Sequence, residues 1–247
     1  MFYEITCSPT GGTKKSADLL SAAWKEKIEI DLMDRKADFH HVFTAEDVCL
    51  VAVPSFAGRV PAIATERLKQ MQGGGAKAIL VVVYGNRAYE DTLAELEDVL
   101  KDCGFQPVGG AAVVAEHSIF REFAAGRPNA EDEIQLKEWS GKLKEKAENG
   151  GTVSFPGNRP YKAYGAIPMK PKAEICQYCG KCVNICPVGA IPAGDPKETH
   201  GETCISCMAC VAVCPIQARA VDPAIISASK AKLEKALSGR KENELFL

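Results

Sequence analysis

CQYCGKCVNICP at residues 176–187 and CISCMACVAVCP at 204–215 decide how the rest of the chain is read. Each block sets out its cysteines as C-x2-C-x2-C-x3-C and closes on a proline, Pro187 or Pro215. The two align at a constant offset of 28 residues, so that Cys182-Val183-Asn184-Ile185-Cys186-Pro187-Val188 lies over Cys210-Val211-Ala212-Val213-Cys214-Pro215-Ile216. This is an internal repeat with pseudo-two-fold character. Three thiols spaced by two residues can wrap one centre while the backbone amides between them turn towards it. The proline turns the chain after the fourth thiol and has no amide proton to satisfy. Zinc knots usually use four ligands per site across one wide gap, and do not repeat such a triple. A disulfide framework would require an oxidising compartment. Nothing calls for one, because Met1-Phe2-Tyr3-Glu4-Ile5 has neither a basic region nor a long apolar run, and no secretory signal is expected.

The double block resembles the bacterial dicluster ferredoxins. The resemblance implies two [4Fe-4S] clusters, with the fourth cysteine of each block carried on a short helix to the cluster of the other. One cluster then takes Cys176, Cys179, Cys182 and Cys214, and the other takes Cys204, Cys207, Cys210 and Cys186. Eight of the eleven cysteines are used in this way. Of the remaining three, Cys7 and Cys49 read as core residues, and Cys103 falls at the end of a predicted helix.

Outward from the cysteines, residues 150–172 hold many prolines and glycines and no period, the pattern of a linker. Its aromatics, Phe155, Tyr161 and Tyr164, suit a segment lying against one domain. On the other side a helix is expected over about 223–238 with Ile225, Ile226, Leu233 and Leu237 on its apolar positions. It reads as a terminal brace, with a homodimer contact as the alternative.

The chain of 247 residues leaves ample length for a second, larger domain ahead of the linker. A hydrophobic content of 46% and a charged content of 25% are ordinary for a soluble globular protein. A formal net charge of −2 gives no electrostatic footprint for nucleic acid or an anionic membrane surface. No run approaches the ~18 apolar residues that span a bilayer. A cytoplasmic location is expected, where cysteines are more often ligands than disulfides.

The first 149 residues alternate between strands and helices. Residues 2–7 read as a strand, and a helix follows over about 13–27 with Ala17, Leu20 and Trp24 on one face. Ile28–Leu32 alternates like an edge strand, and Phe39–Phe43 reads as a further extended piece. Cys49–Val53 and Ala78–Val83 are continuous apolar runs, as expected of strands buried on both faces. Helices are expected to about Met71, over Leu93–Leu100 and over about 130–148, with a last strand over 105–115. Strand–helix alternation of this kind indicates an open parallel sheet. Ligands of such sheets bind outside the carboxyl ends of the strands. Three loops fall there, at 8–13, 54–59 and 84–89.

The first of these loops, Ser8-Pro9-Thr10-Gly11-Gly12-Thr13, sits between a strand and a helix. Free amides, a positive dipole end and hydroxyl donors make such a loop a phosphate cradle. Its wording, S-x-T-G-x-T, is similar to the phosphate loop of the flavodoxins. That resemblance implies FMN, with Ser8, Thr10, Gly11, Gly12 and Thr13 at the phosphate. It also implies ring contacts from Pro54, Ser55, Phe56, Ala57, Gly58 and Arg59, and from Tyr84, Gly85, Asn86, Arg87 and Tyr89. The two ring loops match that family only in location and in carrying glycine, asparagine and aromatic residues. As a whole the chain resembles flavodoxin–ferredoxin fusion proteins. The implied fold is α/β, a flavodoxin-like doubly wound parallel sheet over 1–149. The linker 150–172, a small α+β dicluster ferredoxin domain over 173–222, and a helix and tail over 223–247 follow.

The fusion implies an electron-transfer iron–sulfur flavoprotein, an FMN-dependent oxidoreductase with a redox protein partner and a small-molecule electron acceptor. The alternative is a carrier or redox-sensing module that works only through protein partners. Proton-handling groups beside the flavin would separate the two. His117, at the end of the last strand, is the one histidine placed for that role. His40 and His41 fall in an unassigned stretch and His200 lies between the cysteine blocks. No G-x-G-x-x-G is present, so a dinucleotide is not expected.

Overall fold

In the computed structural model, which describes residues 1–165 and 168–247, the continuous apolar runs form the centre of a sheet. Its parallel strands are β1 (Phe2–Thr6), β2 (Ile28–Asp31), β3 (Val48–Pro54), β4 (Lys77–Tyr84) and β5 (Gln106–Val114), in the spatial order β2-β1-β3-β4-β5. Successive residues of a strand face opposite sides. Leu50, Ala52, Ile79 and Val81 therefore pack with Leu20 of α1 (Gly12–Leu20) and with Leu136 and Leu143 of α4 (Ala130–Asn149). Val51, Val53, Leu80 and Val82 pack on the other side with Leu68 of α2 (Ala62–Leu68) and with Leu96 and Leu100 of α3 (Thr92–Asp102). Helices cover both faces of the sheet, as the sequence led us to expect.

Two local expectations need correction. The helix expected over 13–27 ends at Leu20. There the Ser21 hydroxyl donates to the buried Glu4 carboxylate at 2.6 Å, and Trp24 leaves the helical path to stack on Phe2 at 4.2 Å. Phe39–Phe43 is not a strand. Only Val42 bridges, to Gln72, while Phe39 and Phe43 fill the core.

The second half of the chain is built from short pieces. β6 (Lys172–Ala173) pairs antiparallel with β7 (Arg219–Ala220), enclosing α5 (Lys181–Ile185) and α6 (Ala209–Ala212). α7 (Pro223–Leu237) follows, capped by the Asp222 carboxylate on the Ala224 amide at 2.8 Å. The tail then returns to the first sheet. β8 (Glu244–Phe246) lies antiparallel on β5 and covers what would otherwise be an open edge. Just before it, buried Asn243 accepts from the Val114 amide and donates to Asp132, both at 2.9 Å. Asp132 also takes a bidentate pair from Arg127, at 2.6 and 2.9 Å. Burial opposes ionisation of Asp132, but these donors hold its carboxyl down at about 2.

The linker region does not hang free, although residues 166 and 167 of it lie outside the described residues. Asp91, 1% exposed at the start of α3, accepts from the Asn158 amide (2.8 Å), the Asn158 side chain (2.9 Å) and the Lys162 amide (2.7 Å). Arg159 adds a forked pair to Asp98, and the Tyr161 hydroxyl bonds the same carboxylate. Phe155 is buried with the strand residues. We predict that Asp91→Ala releases this segment. The loss should be about 1–3 kcal/mol for buried acceptors of this kind, read as a lower melting temperature of the loaded chain and faster proteolysis within 150–165. Unchanged proteolysis would assign the anchoring to Arg159 and Tyr161 instead.

Candidate functional site

A cavity of about 370 Å³ opens at the carboxyl ends of the strands. The loop after β1 contributes Thr10, Gly12 and Thr13, and the loop after β3 contributes Pro54, Ser55, Phe56 and Ala57. From the end of β4 and its loop come Tyr84, Gly85 and Arg87. The segment after β5 supplies Glu116, His117 and Ser118. Sequence reasoning missed the other walls. Lys162 and Tyr164 come from the linker, Met169, Ile205, Ser206 and Cys207 from the cysteine-rich half, and Leu233 from α7. Only Tyr164, an aromatic in a polar linker, gave any hint of this.

The first loop is shaped for an anion. Gly11 takes a left-handed φ of 92° at the N-cap of α1, which turns the following amides outwards. Among the described residues, the amides of Thr10, Gly11, Gly12 and Thr13 have no intramolecular acceptor. The Ser8 hydroxyl accepts from the Lys14 amide at 2.9 Å, so it braces the turn. Neither of the two lysines that follow the loop is turned to the cradle. Lys14 binds Glu4, Asp18 and Glu29, and Lys15 binds Glu133 and the Pro128 carbonyl.

Six of the expected contact residues lie outside the cavity wall, and most have partners of their own. Ser8 and Gly11 shape the turn. Gly58 packs on Glu90. Arg59 forks onto Glu95 at 2.7 and 2.8 Å, and Asn86 donates to the Leu237 and Gly239 carbonyls at 2.6 and 2.7 Å. Tyr89 donates to Glu244 at 2.9 Å.

His117 does line the cavity. Its ring packs on Gly85, where an added β-carbon would come within 2.8 Å of it. Nδ1 accepts from the amides of Ile119 and Phe120, both at 3.1 Å. Burial, opposed by Glu122 and reinforced by Arg87, lowers its pKa to about 4. At neutral pH the ring is therefore uncharged with its proton on Nε2, and it can donate there but not accept. The other charged groups of the rim are paired. Arg87 and Lys162 both hold Glu90, and Arg121 holds Glu116.

The cysteines form two groups. Cys176, Cys179, Cys182 and Cys214 line one small cavity. Cys186 sits with Cys204, Cys207 and Cys210, whose thiols are raised first by burial and further by its charge. The 28-residue repeat extends to the backbone. Left-handed residues recur at Tyr178 and Ser206, at Gly180 and Met208, and at Gly189 and Gln217. Amide-to-sulfur contacts recur too. Tyr178 donates to Cys176 at 3.3 Å and Ser206 to Cys204 at 3.5 Å, while Ala190 donates to Cys186 at 3.2 Å and Ala218 to Cys214 at 3.3 Å. Four thiols facing one space, with amides turned to the sulfurs, suit an anionic iron–sulfur cage.

Residues 175–218 match the family described as the 4Fe-4S dicluster domain. A comparison with curated proteins finds no match. Among solved structures, a flavodoxin from Streptococcus pneumonia TIGR4 is similar at 18% identity and a TM-score of 0.42, covering 59% of this chain and 98% of its own. Flavodoxin 1 from Bacillus cereus matches at 17% and 0.42, covering 58% and 97%. Fusobacterium nucleatum flavodoxin bound to flavin mononucleotide matches at 12% and 0.38, covering 59% and 96%. The strand order of this chain's own parallel sheet, second-first-third-fourth-fifth, is the flavodoxin-like order of doubly wound folds. With a segment that matches the 4Fe-4S dicluster domain following that sheet in one polypeptide, the chain joins a flavodoxin-like doubly wound sheet to a dicluster segment.

Proposed function

We propose that this chain is a cytoplasmic electron-transfer flavoprotein that holds FMN in the 370 Å³ cavity and two [4Fe-4S] clusters on its eight motif cysteines. The observation that carries this reading is the shared wall, since Cys207 lines the same cavity as Thr10 and Thr13. Bound in these places, a flavin supplies one- and two-electron exchange and each cluster one-electron exchange. Thr10 and Thr13 would offer hydroxyls, and the loop amides their protons, to the phosphate. Phe56 and Tyr84 would supply apolar and aromatic surface to the ring, and His117 one neutral donor. Cys186, Cys204, Cys207 and Cys210 would hold the cluster nearer the flavin. Cys176, Cys179, Cys182 and Cys214 would hold the outer one, beside exposed Ile175 and Tyr178, where a redox protein can approach.

A second reading, a carrier with protein partners only, is favoured by the rim. Arg87, Lys162, Glu90 and Glu116 are all paired, and His117 holds its proton, so no free acid–base pair faces the cavity among the described residues.

The loaded chain, reconstituted anaerobically, should contain about eight iron, eight sulfide and one FMN. On mixing with a reduced low-potential ferredoxin, its flavin band should bleach in a first-order phase that Cys207→Ser slows. Stoichiometric zinc or refusal of FMN would overturn the cofactor assignment, and a rate rising with protein concentration would move the transfer to between molecules. Thr10→Ala or Thr13→Ala should each weaken FMN binding roughly ten- to a hundred-fold, as expected for about 1.5–3 kcal/mol in a hydrogen bond to a charged group. Riboflavin, lacking the phosphate, should bind both variants like the parent. Cys186→Ala should disturb the cluster of Cys204, Cys207 and Cys210 in paramagnetic resonance, and Cys214→Ala the other. Damage confined to each block's own triple would contradict the crossed ligand sets.

A further inference from the structure

Past the cysteine blocks, the 28-residue repeat breaks at a buried position. Ile191 stands five residues after Cys186, and Arg219 stands five residues after Cys214. Their exposures are 3% and 2%. An isoleucine there needs no polar partner, whereas a guanidinium needs both hydrogen-bond acceptors and a counter-charge. The terminal nitrogens of Arg219 reach the carbonyls of Pro171 (2.6 Å), Glu198 (3.3 Å) and Pro196, and the Thr199 hydroxyl. None of these is a carboxylate, and the Glu198 carboxylate is paired with Lys172 at 2.7 Å. Nε is buried without a partner. Arg219 lines the cavity surrounded by Cys176, Cys179, Cys182 and Cys214. It also reaches the second group, where burial raises the Cys210 thiol and Arg219 opposes the rise both by its charge and by a side-chain hydrogen bond.

A cage of thiolates, sulfides and iron is a net anion that becomes more negative on reduction. We propose that Arg219 is the internal counter-ion of the dicluster domain, donating Nε–H to the cage held by Cys176, Cys179, Cys182 and Cys214 and stabilising its reduced form. This rests on the two-cluster reading above. Reduction adds one electron, taken from the low-potential protein donor, and no proton, because a guanidinium keeps its charge at any working pH. The matching position carries the apolar Ile191, which packs with Cys182, Cys186 and Cys210 and brings no charge to either cage. The repeat therefore builds two similar cages and gives them unequal affinities for an electron.

The test is a potential-controlled titration of the loaded full-length chain, followed by paramagnetic resonance, for the parent, Arg219→Gln and Arg219→Lys. At a fixed potential, Arg219→Gln should shift the reduced-to-oxidised ratio of one cluster on the order of tenfold towards oxidised, about 59 mV for one electron. The other cluster should move less. Arg219→Lys keeps the charge but loses Nε, and should shift that same cluster by a smaller factor. Should Arg219→Gln fail to retain about eight iron per chain, the lysine variant alone carries the test. Variants that hold their iron and titrate with the parent would reduce Arg219 to a tie between backbone carbonyls. A parent chain that binds no iron and sulfide would overturn the two-cluster reading itself.

Discussion

Burial of the second cysteine block against the sheet is the contact on which the rest of the structure depends. Cys207 and Ala209 share one apolar cluster with Val53, Leu80 and Val82 of the central strands. Cys179, the repeat equivalent of Cys207, is exposed. A symmetric sequence device has thus been folded into an asymmetric setting, with one end turned inwards and one outwards. The same packing supplies Ile205, Ser206 and Cys207 as a wall of the cavity. Arg67 of α2 secures it. This residue, 6% exposed, donates to the Leu32 carbonyl on one side and to the Pro187 carbonyl at 3.0 Å on the other, with its guanidinium over Phe39. The larger domain therefore holds the residue next to Cys186 directly.

The parts of the fold legible in the sequence were those with a local signal. Cys49–Val53 and Ala78–Val83 are unbroken apolar runs, and only a strand covered on both faces accommodates them. The acids before and lysines after the middle of α4 marked its ends, and Asn129 with Asp132 completes a capping box there. β8 was not legible, because a three-residue piece, Glu244-Leu245-Phe246, behind a charged run carries no pattern. It forms through Asn243, whose partners Val114 and Asp132 lie more than a hundred residues away. The end of α1 at Leu20 likewise depends on Glu4 and Phe2, which no helical period reveals.

The candidate site divides in the same way. The phosphate-type loop and the cysteine spacing are contiguous words whose chemistry is local. Arg59, Asn86 and Tyr89 stood in the right loops but found partners in α3 and the C-terminal segment. The walls contributed by Lys162, Tyr164 and Cys207 arise from packing between distant parts of the chain, which spacing alone does not encode.

The return of the tail to the first sheet changes what kind of fusion this is. The chain leaves that sheet's layers after α4, builds the cysteine-rich body, and comes back as β8 on β5. The smaller domain is therefore an insertion closed at both ends, with Asp91 holding its entrance and Asn243 its exit. A unit hung from a single tether sweeps a wide volume once its packing opens, whereas a closed loop returns to its seat at modest entropic cost. Exchange of the small domain between two copies would require both fastenings to release together, which guards a chain with two close cysteine groups against domain swapping.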